Sequence, residues 1–166
     1  MRISFDLDDT LILHGREPLP DRGIFAGWIR GWSGERLRAG TRELFRELRR
    51  RGCQIWIYTS SGRTPFGIRR WLFFCGLRVD GVVNEERHRR VLAGHRFPRT
   101  PSKYPPAFGI DWHVDDSEGV GMEGKEHGFR VIVVRPEDED WTQKVLCALS
   151  HVRTRGEERQ ESVGGS

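Results

Sequence analysis

The stretch "ISFDLDDTLI", residues 3 to 12, sets Asp6 and Asp8 one residue apart, with Asp9 beside them, at the end of an apolar run. A second acidic pair, Asp115 and Asp116, closes another apolar run, "IDWHV". Two carboxylates about 4 Å apart repel by roughly 4 kcal/mol at an effective dielectric near 20, so such a cluster stays ionised only beside a cation. Oxygen-only ligands suit a hard ion, and Mg2+ binds through a few carboxylates while keeping waters and taking phosphate oxygens. The chemistry that fits is a metal held by acids while one carboxylate attacks a phosphoryl group.

These acids need elements to position them. Short runs rich in Ile, Val and aromatics recur at 3–7, 53–58, 79–83, 110–114 and 130–134, which predicts five strands. Helical patterns lie between them. In 41–52, Leu44, Phe45 and Leu48 share a face, with Thr41 as N-cap and Gly52 as stop. In 65–76, Ile68, Trp71, Leu72 and Cys75 repeat at helical spacing between Pro65 and Gly76. A last helix, about 140–150, opens at Asp140 with Gln143 three residues on.

Strands alternating with helices predict a doubly wound, Rossmann-like α/β domain over residues 1–150, its five-stranded parallel sheet covered on both faces. Residues 14–37, with Trp28, Arg30, Trp32 and Arg36, form a long connection or flap. Residues 85–108 form a basic, Pro-rich one, and 151–166 a polar tail. Ligands of an open parallel sheet bind beyond the carboxyl ends of its strands. The polar residues collect there: Asp6, Asp8, Asp9 and Thr10 after the first strand, Thr59, Ser60 and Ser61 after the second, Asp115 and Asp116 after the fourth.

At this point the chain resembles the haloacid dehalogenase superfamily, whose first motif, DxDxT after an apolar strand, is matched by Asp6-Leu7-Asp8-Asp9-Thr10. Thr59 in "IWIYTSSGR" matches the second motif, Lys103 in "PSKYPP" the third, and Asp115-Asp116 in "HVDDS" the fourth. The likeness spans about residues 1 to 149. It implies a Mg2+-dependent phosphomonoester hydrolase in which Asp6 is the nucleophile and Asp8 the general acid and base. It further implies that Asp6, the Asp8 backbone carbonyl and Asp116 hold the metal, with Asp115 beside it. Thr59 would bond a phosphoryl oxygen and Lys103 would neutralise charge on Asp6 and the phosphate. The residues of "TSSGRT" add Ser60 and Arg63 as a phosphate cradle near a helix start.

A large cap over a small substrate would sit in the gaps 11–58 or 60–102, which must also hold core strands and helices, so a capless, open site is expected. Such a site takes a phosphorylated small molecule or a macromolecular phosphate end. Lys and Arg number 28 against 24 Asp and Glu, a net charge of +4 that suits anionic substrates without establishing nucleic-acid binding. No apolar run approaches the roughly 20 residues of a membrane span, and Met1-Arg2 leads straight into the first strand, so a cytoplasmic protein is expected. Cys53, Cys75 and Cys147 sit in apolar contexts, form no CxxC pair and read as reduced core thiols. His88, His95, His113 and His127 lack metal-ligand spacing and read as satisfied or solvated.

Two other classes fit less well. A phospho-receiver domain carries its acidic pair after the first strand and its acceptor Asp after the third, whereas here the third strand ends in "VVNEE". A catalytically inactive domain that binds metal or a partner is compatible with the motifs, because a fold and its motifs do not demonstrate turnover.

Overall fold

The computed structural model describes residues 1–14 and 35–150. Trp28, Arg30 and Trp32, most of the 14–37 connection and the 151–166 tail lie outside the described residues. The sheet is built from β1 (Arg2–Phe5), β2 (Gln54–Tyr58), β3 (Gly81–Val83), β4 (Trp112–Asp115) and β5 (Val131–Val133). All pairs are parallel in the order β3-β2-β1-β4-β5, so the chain reverses its winding between β1 and β4. That reversal opens a crevice at the carboxyl ends of those two strands.

The helices are α1 (Thr41–Arg50), α2 (Pro65–Phe74), α3 (Glu85–Leu92), α4 (Glu118–His127) and α5 (141–150), with a 3-10 turn at Pro105–Phe108. Thr64 caps α2, its side chain accepting from the Gly67 N–H, and Pro65 occupies the first turn as expected. At α1 the expected cap is displaced by one residue. Gly40, at φ 81°, takes the N-cap place, and Thr41 instead donates its hydroxyl to the Arg38 carbonyl at 2.6 Å.

The 85–108 connection is more ordered than its composition suggests. Asn84 caps α3, with its side chain accepting from the Arg87 N–H, and Glu85 and Glu86 complement the helix N-terminus. α4 has no sequence forecast because Gly119, Gly121 and Gly124 interrupt its periodicity. The glycines answer a tertiary demand: a Cβ on Gly121 would lie 2.9 Å from Val133, and one on Gly124 2.8 Å from the Phe129 carbonyl. Packing against β5 outweighs helix propensity.

Side chains alternate across a strand, and here the two faces differ in kind. One face carries Ile3, Phe5, Ile55, Ile57, Val114 and Ile132, packed by Leu44, Phe45 and Leu48 of α1, Ile68 and Leu72 of α2, and Trp141, Val145 and Leu149 of α5. The register sets Ser4 beside Trp56 and His113, so these share the opposite face, with Tyr58, Asp6 and Asp115 at the same parity. Tyr58 there joins a smaller cluster with Val83, Leu92, Phe108 and Ile110. The first face supplies most of the apolar burial, and the second supports the crevice.

Gly81 pairs with Trp56 across β2 and β3, and a Cβ at this position would stand 2.3 Å from the indole. A glycine inside a strand here marks a close approach. Gly81→Ala is expected to cost on the order of 2 kcal/mol by overpacking, read as a lower midpoint in denaturant unfolding.

Candidate functional site

The carboxyl ends of β1, β2 and β4 and the segment before Tyr104 enclose a crevice of about 330 Å³. Asp6, Asp8, Asp9, Thr59, Ser60, Ser61, Ser102, Lys103, Asp115, Asp116 and Ser117 line it. Residues far apart in the chain meet because the parallel register aligns strand tips. The Asp6 N–H donates to the Val114 carbonyl at 2.8 Å, and the Thr59 N–H to the Val83 carbonyl at 2.9 Å. Each backbone is therefore fixed just where its functional side chain begins.

Lys103 is the centre of the arrangement. Its Nζ donates to Asp6 Oδ1 at 2.6 Å and to the Tyr58 carbonyl at 2.9 Å, and lies 4.0 Å from Asp115 Oδ2. Asp6, Lys103 and Asp115 are all buried. Burial pushes the Asp6 carboxyl up to about 6; Lys103 pulls it down and Asp115 pushes it further up. Burial likewise disfavours the Asp115 anion, but the hydrogen bond from His113, together with Lys103, holds it below the usual range.

His113 belongs to the polar face of the sheet. Its Nε2 lies 2.9 Å from Asp115 Oδ2 and its Nδ1 2.8 Å from Ser4 Oγ, so this buried ring is satisfied on both sides. Its role is to orient Asp115, which also accepts from the Ser117 N–H at 2.9 Å.

Asp8 and Arg63 behave differently from the sequence expectation. Arg63 Nη1 grips both Asp8 oxygens at 2.9 and 2.8 Å, and its Nη2 pairs with Glu35 at 2.5 Å. Arg63 thus lines a neighbouring cavity of about 380 Å³ and does not line the acid crevice. His14 Nε2 also contacts Asp8 Oδ1, at 3.0 Å. Burial opposes the Asp8 anion, yet the hydrogen bonds from His14 and Arg63 outweigh it and hold this carboxyl below its ordinary value. The same contact raises the His14 imidazole. His14 was absent from the sequence reading, since a lone histidine six residues past an Asp carries no motif.

Asp9 takes a left-handed turn at φ 55°, a conformation Asp tolerates, and its Oδ1 accepts from the His14 N–H at 3.2 Å. Thr10, fully buried, donates to Asp116 Oδ1 at 3.3 Å and ties the first tip to the fourth. Thr59 is buried with its Oγ1 accepting from the Ser61 N–H at 3.1 Å, while Ser60 is exposed at the rim. Asp116 is pushed upward by burial and by Asp115 and Asp9. Among the described residues, no three His, Cys, Asp or Glu side chains converge as a ready ligand set. The donor chemistry still fits a hard cation. Asp6, Asp9, Asp115 and Asp116 share the crevice with Lys103 as its cation, and burial, reinforced by the neighbouring carboxylates, lifts Asp6 and Asp116.

Strand order and crevice define a doubly wound α/β protein with an acid and lysine site at its switch point. No protein-family model and no curated protein matches the chain. Among solved structures, a chain of the "Pnkp1/Rnl/Hen1 complex" aligns with it at 14% identity and a TM-score of 0.48. The alignment covers 80% of this chain and 45% of the other, so the chain spans less than half of that neighbour's length. Among the described residues no helix is long and apolar enough to cross a membrane.

Removing Lys103 leaves two buried carboxylates without their cation. Lys103→Met is expected to destabilise the fold by about 3 kcal/mol and to move the Asp6 titration upward, the direction in which loss of a cation acts. Denaturant unfolding and carboxyl-carbon NMR check the two parts, and adding Asp6→Asn is expected to recover part of the loss.

Proposed function

We propose that the chain is a Mg2+-dependent phosphomonoester hydrolase that works through an aspartyl-phosphate on Asp6. The observation that carries the reading is the buried Asp6 carboxylate at a strand tip, with Lys103 Nζ 2.6 Å away and hydroxyls of the second tip around it. Positioning and electrostatics dominate phosphoryl transfer, and this crevice supplies both.

In the first step an Asp6 oxygen bonds to phosphorus, the phosphorus to ester-oxygen bond breaks, and the departing oxygen takes a proton from Asp8. In the second, water attacks the phosphorus of the acyl phosphate while Asp8 accepts its proton, and inorganic phosphate leaves with Asp6 regenerated. The grip of Arg63 and His14 favours the Asp8 anion, the form that the second step uses. The first step needs a proton on Asp8, and His14 Nε2 at 3.0 Å is the adjacent group able to deliver one. Thr59 and Ser60 would bond phosphoryl oxygens, and Lys103 would balance the charge gathered on Asp6 and the phosphate.

Asp6, the Asp8 carbonyl and Asp116 would hold Mg2+, with Asp115 alongside. When bound, the ion supplies charge neutralisation at the phosphoryl oxygens. The proposed substrate is a phosphorylated small molecule or a macromolecular phosphate end. A second reading, a non-catalytic domain that binds metal or a phosphorylated partner, is favoured by the double grip of Arg63 and His14 on Asp8.

Turnover separates the readings. Release of phosphate from an aryl phosphate is expected to require Mg2+, to stop with chelator, and to vanish in Asp6→Asn while circular dichroism shows that the fold survives. Undiminished release by Asp6→Asn would sink the mechanism, and silence of the folded wild type across aryl, nucleotide, sugar and peptide phosphates would favour the binding reading.

A second prediction follows from the Asp6 titration. Its folded value of about 6 lies above the ordinary 3.8, so the stability Asp6 contributes is full below 3.8 and is lost as pH rises through about 6. A cation that binds the ionised form reverses that loss. Added Mg2+ is therefore expected to raise the melting temperature little at about pH 5 and clearly at about pH 7.5. An equal rise at both values would remove Asp6 from the proposed ligands.

A further inference from the structure

We propose that Tyr58 and Glu123 are positioning residues for Lys103, with His88 orienting the Tyr58 hydroxyl, and that together they hold the ammonium against Asp6. The proposal deepens the reading of Lys103 as the charge-neutralising group of the site and rests on it for its functional consequence.

Lys103 does not sit on a strand or helix. It is carried by "TPSKYPP", residues 100 to 106, whose prolines stiffen the segment without supplying hydrogen bonds that could fix its place. An amine on a flexible stem carries a large rotamer entropy, so an irregular segment alone would leave the ammonium poorly located. Nevertheless Lys103 is buried and its Nζ lies 2.6 Å from Asp6. Something outside the segment must hold it.

Tyr58 touches the segment at three points. Its carbonyl accepts from Lys103 Nζ at 2.9 Å, its ring lies under the ammonium with the centroid 5.2 Å away, and its hydroxyl accepts from the Tyr104 N–H at 2.9 Å. The ring and carbonyl define where the ammonium rests, and the hydroxyl pins the backbone one residue on. That hydroxyl stands 2.5 Å from His88 Nδ1 on α3, so the helix fixes where it points. His88 thus anchors the residue that grips the segment at Lys103 and Tyr104.

From the other side, α4 presents Glu123. Its carboxylate accepts from the Ser102 N–H at 3.0 Å to each oxygen, from the Ser102 hydroxyl at 2.7 Å and from the Lys103 N–H at 3.4 Å. Charge-assisted hydrogen bonds to a carboxylate are the strong kind, and here they are spent on two consecutive residues of the lysine segment. Rings of Phe97, His127 and Phe129 pack Tyr104 edge-on at centroid distances of 5.0, 6.4 and 6.0 Å and close the clamp.

The chain suits a direct test, because Lys103, Lys125 and Lys144 are its only lysines. Under native conditions an amine-reactive acylating reagent followed by peptide mass spectrometry reads each one. Lys125 and Lys144 are exposed and serve as internal standards. In the wild type Lys103 is expected to react far more slowly than either. Tyr58→Phe, His88→Gln and Glu123→Gln are each expected to speed its labelling by about tenfold, by local opening, without changing the other two rates. Leu149→Ala, a cavity in the opposite face of the sheet, controls for loss of stability alone and is expected to leave the Lys103 rate unchanged. Unaltered Lys103 labelling in all three clamp variants, or an equal increase in Leu149→Ala, would overturn the proposal.

Turnover adds an independent cycle. If Tyr58 acts through Lys103, Tyr58→Phe lowers kcat in the wild type and has no further effect on Lys103→Met; additive losses would count against the clamp. Selective Lys103 labelling in a protein that turns over no phosphate ester would uphold the clamp and sink the hydrolase reading, so the two fail separately.

Discussion

The structure turns on one buried ion pair, Lys103 with Asp6, set 4.0 Å from a second buried carboxylate, Asp115. Taking such charges out of water is costly, and attraction repays the cost only where geometry and further hydrogen bonds are good. Both conditions are met by different parts of the fold. β1 and β4 lie side by side at the reversal of winding, which forces Asp6 and Asp115 together, and the Tyr58 carbonyl and ring complete the surroundings of the ammonium. Burial, with Asp115 beside it, outweighs the pull of Lys103 and raises the Asp6 carboxyl to about 6.

The two faces of the sheet divide the work of supporting that pair. The apolar face, closed by α1, α2 and α5, holds the strands in place by burial. On the other face, Ser4, His113, Tyr58 and His88 are buried polar groups, and each has a partner. Such networks rigidify a site when every member is satisfied and are costly when one is not. The fold therefore concentrates its polar investment directly beneath the crevice, where orientation of Asp115 and of the lysine segment matters most.

Asp8 shows how a neighbouring charge can redirect a residue. Its carboxylate lies at the crevice but points its charge into Arg63 and His14, and Arg63 in turn reaches Glu35. The crevice and the adjacent cavity are consequently joined by one salt-bridged wall.

The strands were legible in the sequence because short apolar runs and their polar ends are local features, and with them came the strand-tip candidates Asp6, Thr59, Asp115 and Asp116. Lys103 too was marked, though only by resemblance, and the fold brings it to Asp6 across 97 residues of chain. By contrast α4 was hidden by its glycines, since packing against β5 overrides local propensity there. The helix α3, with its Asn84 cap and acidic first turn, stayed hidden because it opens a stretch of basic and Pro-rich composition. Partner choice was equally hidden: Arg63 with Asp8, His14 with Asp8, Glu123 with Ser102 and Tyr58 with His88 depend on distances that exist only after folding. Residue type and periodicity are written in the chain itself, so the sequence alone determined the α/β class and the acids at its strand ends. Which charge faces which is a property of three-dimensional proximity in a low-dielectric crevice, and only the tertiary structure decided it.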